Sequence, residues 1–184
     1  LARSGEAPSA LHNNCSGKHA GFLALSKHLG TKTSEYLDPD GAVQSLVRAA
    51  IADMCGLDVD SLTHGMDGCS APTYRLPLRA LGLAFARIVD PSGLSPERRA
   101  ACEQMSAAVA GHPILIAGSR GRLCTELSRV TKGRLFPKIG AEGIYAVGDR
   151  ASGRALAVKI DDGGRRALHA VVVELLSRYE MIDE

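Results

Sequence analysis

Long apolar runs are missing from this chain: no stretch approaches the roughly 18 residues of a membrane-spanning helix. Nor does the first segment show the basic, apolar and small-residue succession of a secretory signal. The expectation is a cytoplasmic protein with no membrane association. An excess of one charge is missing too, since 22 Lys and Arg face 20 Asp and Glu for a net +2, and pairs such as Arg98-Arg99 and Arg165-Arg166 never grow into blocks. Such pairs read as solvated faces, and no nucleic-acid partner is expected. Closely spaced cysteines are absent as well. Cys15, Cys55, Cys69, Cys102 and Cys124 are odd in number with no Cys-x-x-Cys among them, which argues against a disulfide framework and against a four-cysteine structural zinc site. No repeat or low-complexity stretch interrupts the chain.

What is present is an ordinary globular composition, 45% apolar and 23% charged, in a chain of 184 residues, long enough for one well-buried domain over 1–184. Residues 1–11 read as an entry in mid-protein, opening on Leu1 with hardly any independent structure. The spacing then predicts a helix from about Gly17 to Leu29, with Phe22, Leu25 and Leu29 on one face and Gly30 as the stop. Val43, Leu46, Val47, Ala50, Ile51 and Met54 predict a second helix with a buried stripe, ended by Gly56. Residues 61–76 break the helical period with a glycine-rich polar loop, and helices follow from Pro77 to about Val89 and from Ser95-Pro96-Glu97 to Gly111. After His112-Pro113 come a short helix over 122–131 and three strands, Arg134 to Lys138, Gly143 to Val147 and Ala155 to Ile160, before a closing helix from Ala167 to Tyr179. Helices, then a small antiparallel sheet, then a helix describe an α+β architecture.

The chemistry concentrates in Asn13-Asn14-Cys15-Ser16-Gly17-Lys18-His19-Ala20-Gly21, where a thiol, a hydroxyl, an amine and an imidazole fall within five positions just before a helix. Reactive centres need that density, because such groups must converge to hydrogen-bond distance. Gly17-Lys18 resembles the tail of a phosphate-binding loop, but the earlier Gly and the Ser or Thr after Lys are both wanting. Cys15 and Cys69 both lie in polar, glycine-containing segments, whereas Cys55, Cys102 and Cys124 lie in apolar helical patterns and read as core. The first two are open to three readings: metal-binding thiolates, buried thiols or a reactive cysteine. Lys18, three residues after Cys15, can be aimed at the same point and serve as a ligand or a base, or be a plain helix lysine. Asp67 faces the same cavity or forms a turn, and His19 contacts substrate or marks the helix terminus. Lys138-Ile139-Gly140, at a strand end, matches the Lys-x-Gly signature of serine β-lactamases or makes a turn between strands.

Taken together, LHNNCSGKHAGFLAL, YLDPDGAVQ, HGMDGCSAPTYRLPL, HPILIAGSRGR, CTEL, KIGAEGIYAVGD and AVKIDDGG closely resemble the bacterial L-asparaginase II family of the Rhizobium etli type, across nearly the whole chain. The resemblance implies a fold related to serine β-lactamases and glutaminases, and hydrolysis of L-asparagine to aspartate and ammonia. It implies a Zn²⁺ site made by Cys15, Lys18 as a neutral amine and Cys69, with His19 and Asp67 in the substrate pocket and Lys138 as the catalytic partner of a serine. A homodimer is one assembly it allows. Members of the family also carry a Ser-x-x-Lys pair in an N-terminal portion, and no such pair precedes Cys15 here. The chain is therefore expected to be the C-terminal part of such an enzyme, or else a non-catalytic domain that binds metal or an amino acid.

Overall fold

The computed structural model describes residues 5, 7 and 9–182. The described residues form two compact units, one from those up to residue 53 together with 57–75, the other from 54–56 and 76–182. The expectation for residues 1–11 falls mostly outside the described residues; Ala10–His12 form a 3-10 turn.

The first unit contains α1 (Ser16–Leu29), most of α2 (Ala42–Cys55) and a hairpin of β1 (His64–Met66) and β2 (Pro72–Tyr74). Gly30 stops α1 as its position suggests, adopting the left-handed conformation at φ 69° while its N–H donates to the Lys27 and Ser26 carbonyls. The apolar stripe expected on α2 is corrected. Of its six residues only Val43 is fully buried, Leu46 stays 48% exposed, and the buried positions include Gln44 and Ala52. Burial of Gln44 has a polar cause, since its Nε2 donates to the Tyr36 carbonyl at 2.8 Å. The hairpin replaces the irregular loop expected over 61–76. Strands of three residues, one of them exposed throughout, leave no alternation for a pattern to reveal.

The second unit is built on an antiparallel sheet in the order β3 (Leu135–Ile139), β4 (Ile144–Asp149) and β5 (Ala155–Lys159), within a residue or two of the expected strands. Register pairs Lys138 with Ala146 and Tyr145 with Val158. One face of the sheet meets α6 (Leu123–Val130) and α7 (Leu168–Arg178), where Leu127, Leu135, Tyr145, Val147, Leu168, Val172 and Leu176 form a common core. The other face meets α3 (Leu78–Val89), with Phe85 and Phe136 edge to face at 5.8 Å. A β-carbon at Gly148 would stand 2.6 Å from Val89 Cγ1 and 2.9 Å from the Phe85 carbonyl, so helix and strand approach here only because the side chain is absent. Gly148→Ala is expected to cost about 1–3 kcal/mol of stability through overpacking, read as a lower denaturant midpoint at unchanged slope. α4 (Pro96–Gly111) begins as expected at Ser95, whose hydroxyl accepts the Arg98 N–H. A short helix, α5 (Pro113–Ala117), starts where His112-Pro113 reads as a break, because proline suits a first helical turn and five residues are too few to show a period.

Among the described residues the protein is thus α+β, with seven α-helices and two small antiparallel sheets.

Candidate metal and substrate site

Local chain geometry prepares the first half of the site. Asn13 Oδ1 accepts the Cys15 N–H at 2.8 Å, and the Asn13 carbonyl accepts the Ser16 N–H at 3.0 Å. That turn makes Cys15 the residue that flanks α1, and the Cys15 carbonyl takes the first helical bond, from the His19 N–H. Lys18 follows in the first turn, on the side of the helix that Cys15 introduces.

The hairpin supplies the other half. Across its tip the Asp67 N–H donates to the Ala71 carbonyl at 2.9 Å and the Ser70 N–H to the Asp67 carbonyl at 2.8 Å. Ser70 sits at φ 65°, a left-handed conformation uncommon outside glycine. Asp67 divides its carboxylate: Oδ1 accepts the Gly68 N–H at 2.8 Å, while Oδ2 accepts Lys18 Nζ at 3.0 Å and the Cys69 thiol at 3.5 Å.

Four chemistry-bearing side chains therefore meet: Cys15, Lys18, Asp67 and Cys69. One ligand atom from each of Cys15, Asp67 and Cys69 falls within 4.8 Å of the other two, a grouping that could hold a metal ion. Burial, with a hydrogen bond to Cys69, pushes the Cys15 thiol up, although the Lys18 charge opposes this. For Lys18, burial favours the neutral amine, but hydrogen bonds to Asp67 and Cys69 and the nearby thiols outweigh it and raise its pKa. Hydrogen bonds from Lys18 and from the Gly68 N–H hold the Asp67 carboxyl below its ordinary range. The carboxylate partner thus favours the ammonium form of Lys18. The neutral amine implied by the family resemblance requires that proton to leave.

Both ends of the Lys18–Asp67 pair are over a third exposed, which limits its worth to about 0.2–1 kcal/mol. Its sign is that of a depressed carboxyl: the contribution is present above the unfolded Asp pKa and fades as pH falls through the folded one.

His19, also expected in the pocket, stands next along α1 with Nδ1 2.8 Å from the Tyr36 hydroxyl. Neither Tyr36 nor Gln44 is a candidate by sequence, since no local spacing relates either of them to His19. Lys138 lies in the second unit, exposed on β3, with Nζ donating to the Ile139 carbonyl at 2.9 Å. Cys55, Cys102 and Cys124 are buried, as their helical settings suggest. Cys102→Ala should leave metal content unchanged, which elemental analysis of the purified protein checks.

Two thiols and a carboxylate with ligand atoms within 4.8 Å of one another are a donor set that zinc accepts, since it takes sulfur, nitrogen and oxygen ligands. Over residues 1–184 the chain matches the family model described as L-asparaginase II. The chain belongs to the L-asparaginase II family. No curated protein matches it. Family membership points to an asparaginase-type amidohydrolase acting on a small-molecule substrate. Among the described residues no helix of this asparaginase II family member is long and apolar enough to cross a membrane.

Proposed function

We propose that this chain contributes to hydrolysis of the side-chain amide of L-asparagine, giving L-aspartate and ammonia, in a Ser/Lys amidohydrolase of the Rhizobium etli type with a zinc site beside the substrate. The observation that carries the reading is the meeting of Cys15, Asp67 and Cys69 at one point, with Lys18 on the same carboxylate, in a chain whose whole length matches the L-asparaginase II family.

Cys15 and Cys69 would hold the ion, with the Lys18–Asp67 pair supplying the third donor: Lys18 after losing its proton, or Asp67 directly. When bound, the ion supplies Lewis acidity and a fixed positive charge that orients polar groups of the substrate. Whichever member of the pair does not ligate remains hydrogen-bonded to the one that does, as an outer partner that fixes its orientation. His19 binds and orients substrate through its ring. A serine deprotonated by the lysine of the family's N-terminal Ser-x-x-Lys pair attacks the carboxamide carbon, and Lys138, at the end of a strand in a Lys-x-Gly setting, keeps a second serine hydroxyl polarised. The C–N bond then breaks, the proton leaves with ammonia, and water hydrolyses the remaining ester to aspartate. A fold related to the serine β-lactamases and glutaminases belongs to this reading.

One observation favours a second reading. Ser-x-x-Lys does not occur in these 184 residues, and the alternative is a domain that binds metal or an amino acid without turnover. Ammonia release from asparagine and from glutamine, measured on this chain and on an N-terminally extended version, separates the two. Release by the extended form with asparagine preferred is expected; asparagine binding with no release by either form rejects the catalytic reading.

A further inference from the structure

His19 has one ring nitrogen satisfied and the other without a partner. Its Nδ1 meets the Tyr36 hydroxyl at 2.8 Å, the two rings pack edge to face with centroids 5.6 Å apart, and Phe22 approaches at a tilt, 6.5 Å away. Its Nε2 is shielded from solvent and has no hydrogen-bond partner among the described residues. Tyr36 is itself held, because the fully buried Gln44 donates its Nε2 to the Tyr36 carbonyl at 2.8 Å. The imidazole is therefore fixed on one side and open on the other.

The direction of the Tyr36 bond decides what the open side offers. A phenol is a strong donor and a neutral imidazole nitrogen a better acceptor than a phenol oxygen, so the hydroxyl donates and Nδ1 accepts. A neutral imidazole that accepts at Nδ1 carries its proton at Nε2. Buried N–H groups without an acceptor are rare in native proteins, because desolvating them without compensation is unfavourable. An oxygen from a bound ligand would complete this one.

We infer that Tyr36 is a positioning residue that sets the tautomer of His19 and presents Nε2–H as a donor to a carboxylate or carboxamide oxygen of a small amino-acid ligand. The ligand half of the inference rests on the proposed asparaginase reading; the tautomer rests on the Tyr36 contact and on the phenol being the stronger donor of the two. Tyr36 touches no reacting atom in this scheme. It acts through His19, and a ring free to exchange tautomers would offer a lone pair to the ligand oxygen for part of the time.

Nitrogen-15 NMR of the histidine rings in the zinc-loaded, N-terminally extended protein tests both halves, with L-aspartate as the titrated probe. In the wild-type protein His19 should show an unprotonated Nδ1 and a protonated Nε2, and Tyr36→Phe should convert this into a mixture of tautomers. A wild-type mixture, a protonated Nδ1, or a Tyr36→Phe spectrum identical to wild type overturns the tautomer assignment. Aspartate should shift the Nε2 resonance, and Tyr36→Phe should weaken its binding about tenfold, the scale of one hydrogen bond. In a His19→Gln background, where an amide N–H replaces the ring donor, adding Tyr36→Phe should have no further effect on affinity. Aspartate binding that leaves Nε2 unmoved, or full additivity of the two substitutions, overturns the donor role while leaving the asparaginase reading intact. No aspartate binding to wild type sinks that reading and the ligand half with it, and the tautomer result still stands or falls by itself.

Discussion

Zinc affinity is expected to fall at least about 100-fold in Cys69→Ser, because partners one shell further out already cost roughly 10–100-fold when removed. A serine hydroxyl keeps the shape of the hairpin tip but does not ionise near neutral pH, so the site loses a thiolate and its charge. The substitution also removes the 3.5 Å thiol contact to Asp67, while leaving the turn bonds from the Asp67, Gly68 and Ser70 N–H groups in place. A folded protein with an empty site is therefore the expected product. Competition with a chromogenic chelator measures the affinity, and elemental analysis the stoichiometry. Cys15→Ser should behave alike, since its sulfur belongs to the same grouping. Unchanged affinity in either variant would strike that cysteine from the ligand set.

Turnover is where Lys138→Ala is expected to act. Acid–base assistance by a positioned side chain contributes typically about 10²–10⁴-fold, so losing the amine that keeps a serine hydroxyl polarised should lower kcat of the N-terminally extended enzyme by up to about that factor with KM changed only a few-fold. The side chain is exposed on β3, and its hydrogen bond runs to the neighbouring Ile139 carbonyl, not into the core. Loss of the amine should accordingly leave the denaturation midpoint nearly unchanged, which separates a chemical role from a structural one. Wild-type kcat in this variant would remove Lys138 from the mechanism.

Much of the fold is legible where one signal dominates. Gly30 is read as a stop and is one, since a left-handed residue at φ 69° favours glycine. Ser95-Pro96-Glu97 is read as a helix start and is one, because cap chemistry is local. The strands of the second unit lie where glycine-rich turns bound apolar runs. Legibility fails where burial follows a distant partner. Leu46 belongs to the apolar stripe of α2 yet stays half exposed, and Gln44 is buried because a carbonyl eight residues back accepts its amide.

For the site, residue types along the chain mark Cys15, Lys18, His19, Asp67 and Cys69 as candidates with other roles still open, and it is the family resemblance that assigns them together to a metal and substrate site. Their partners are a matter of three dimensions. Lys18 and Asp67 are 49 residues apart, and only folding brings them to 3.0 Å and gives Lys18 a carboxylate that favours its charged form. Tyr36 reaches His19 across 17 residues in the same way. Side-chain chemistry is a property of each residue and can be read in order; proximity, charge state and the nitrogen left open on His19 are properties of pairs that chain order does not encode.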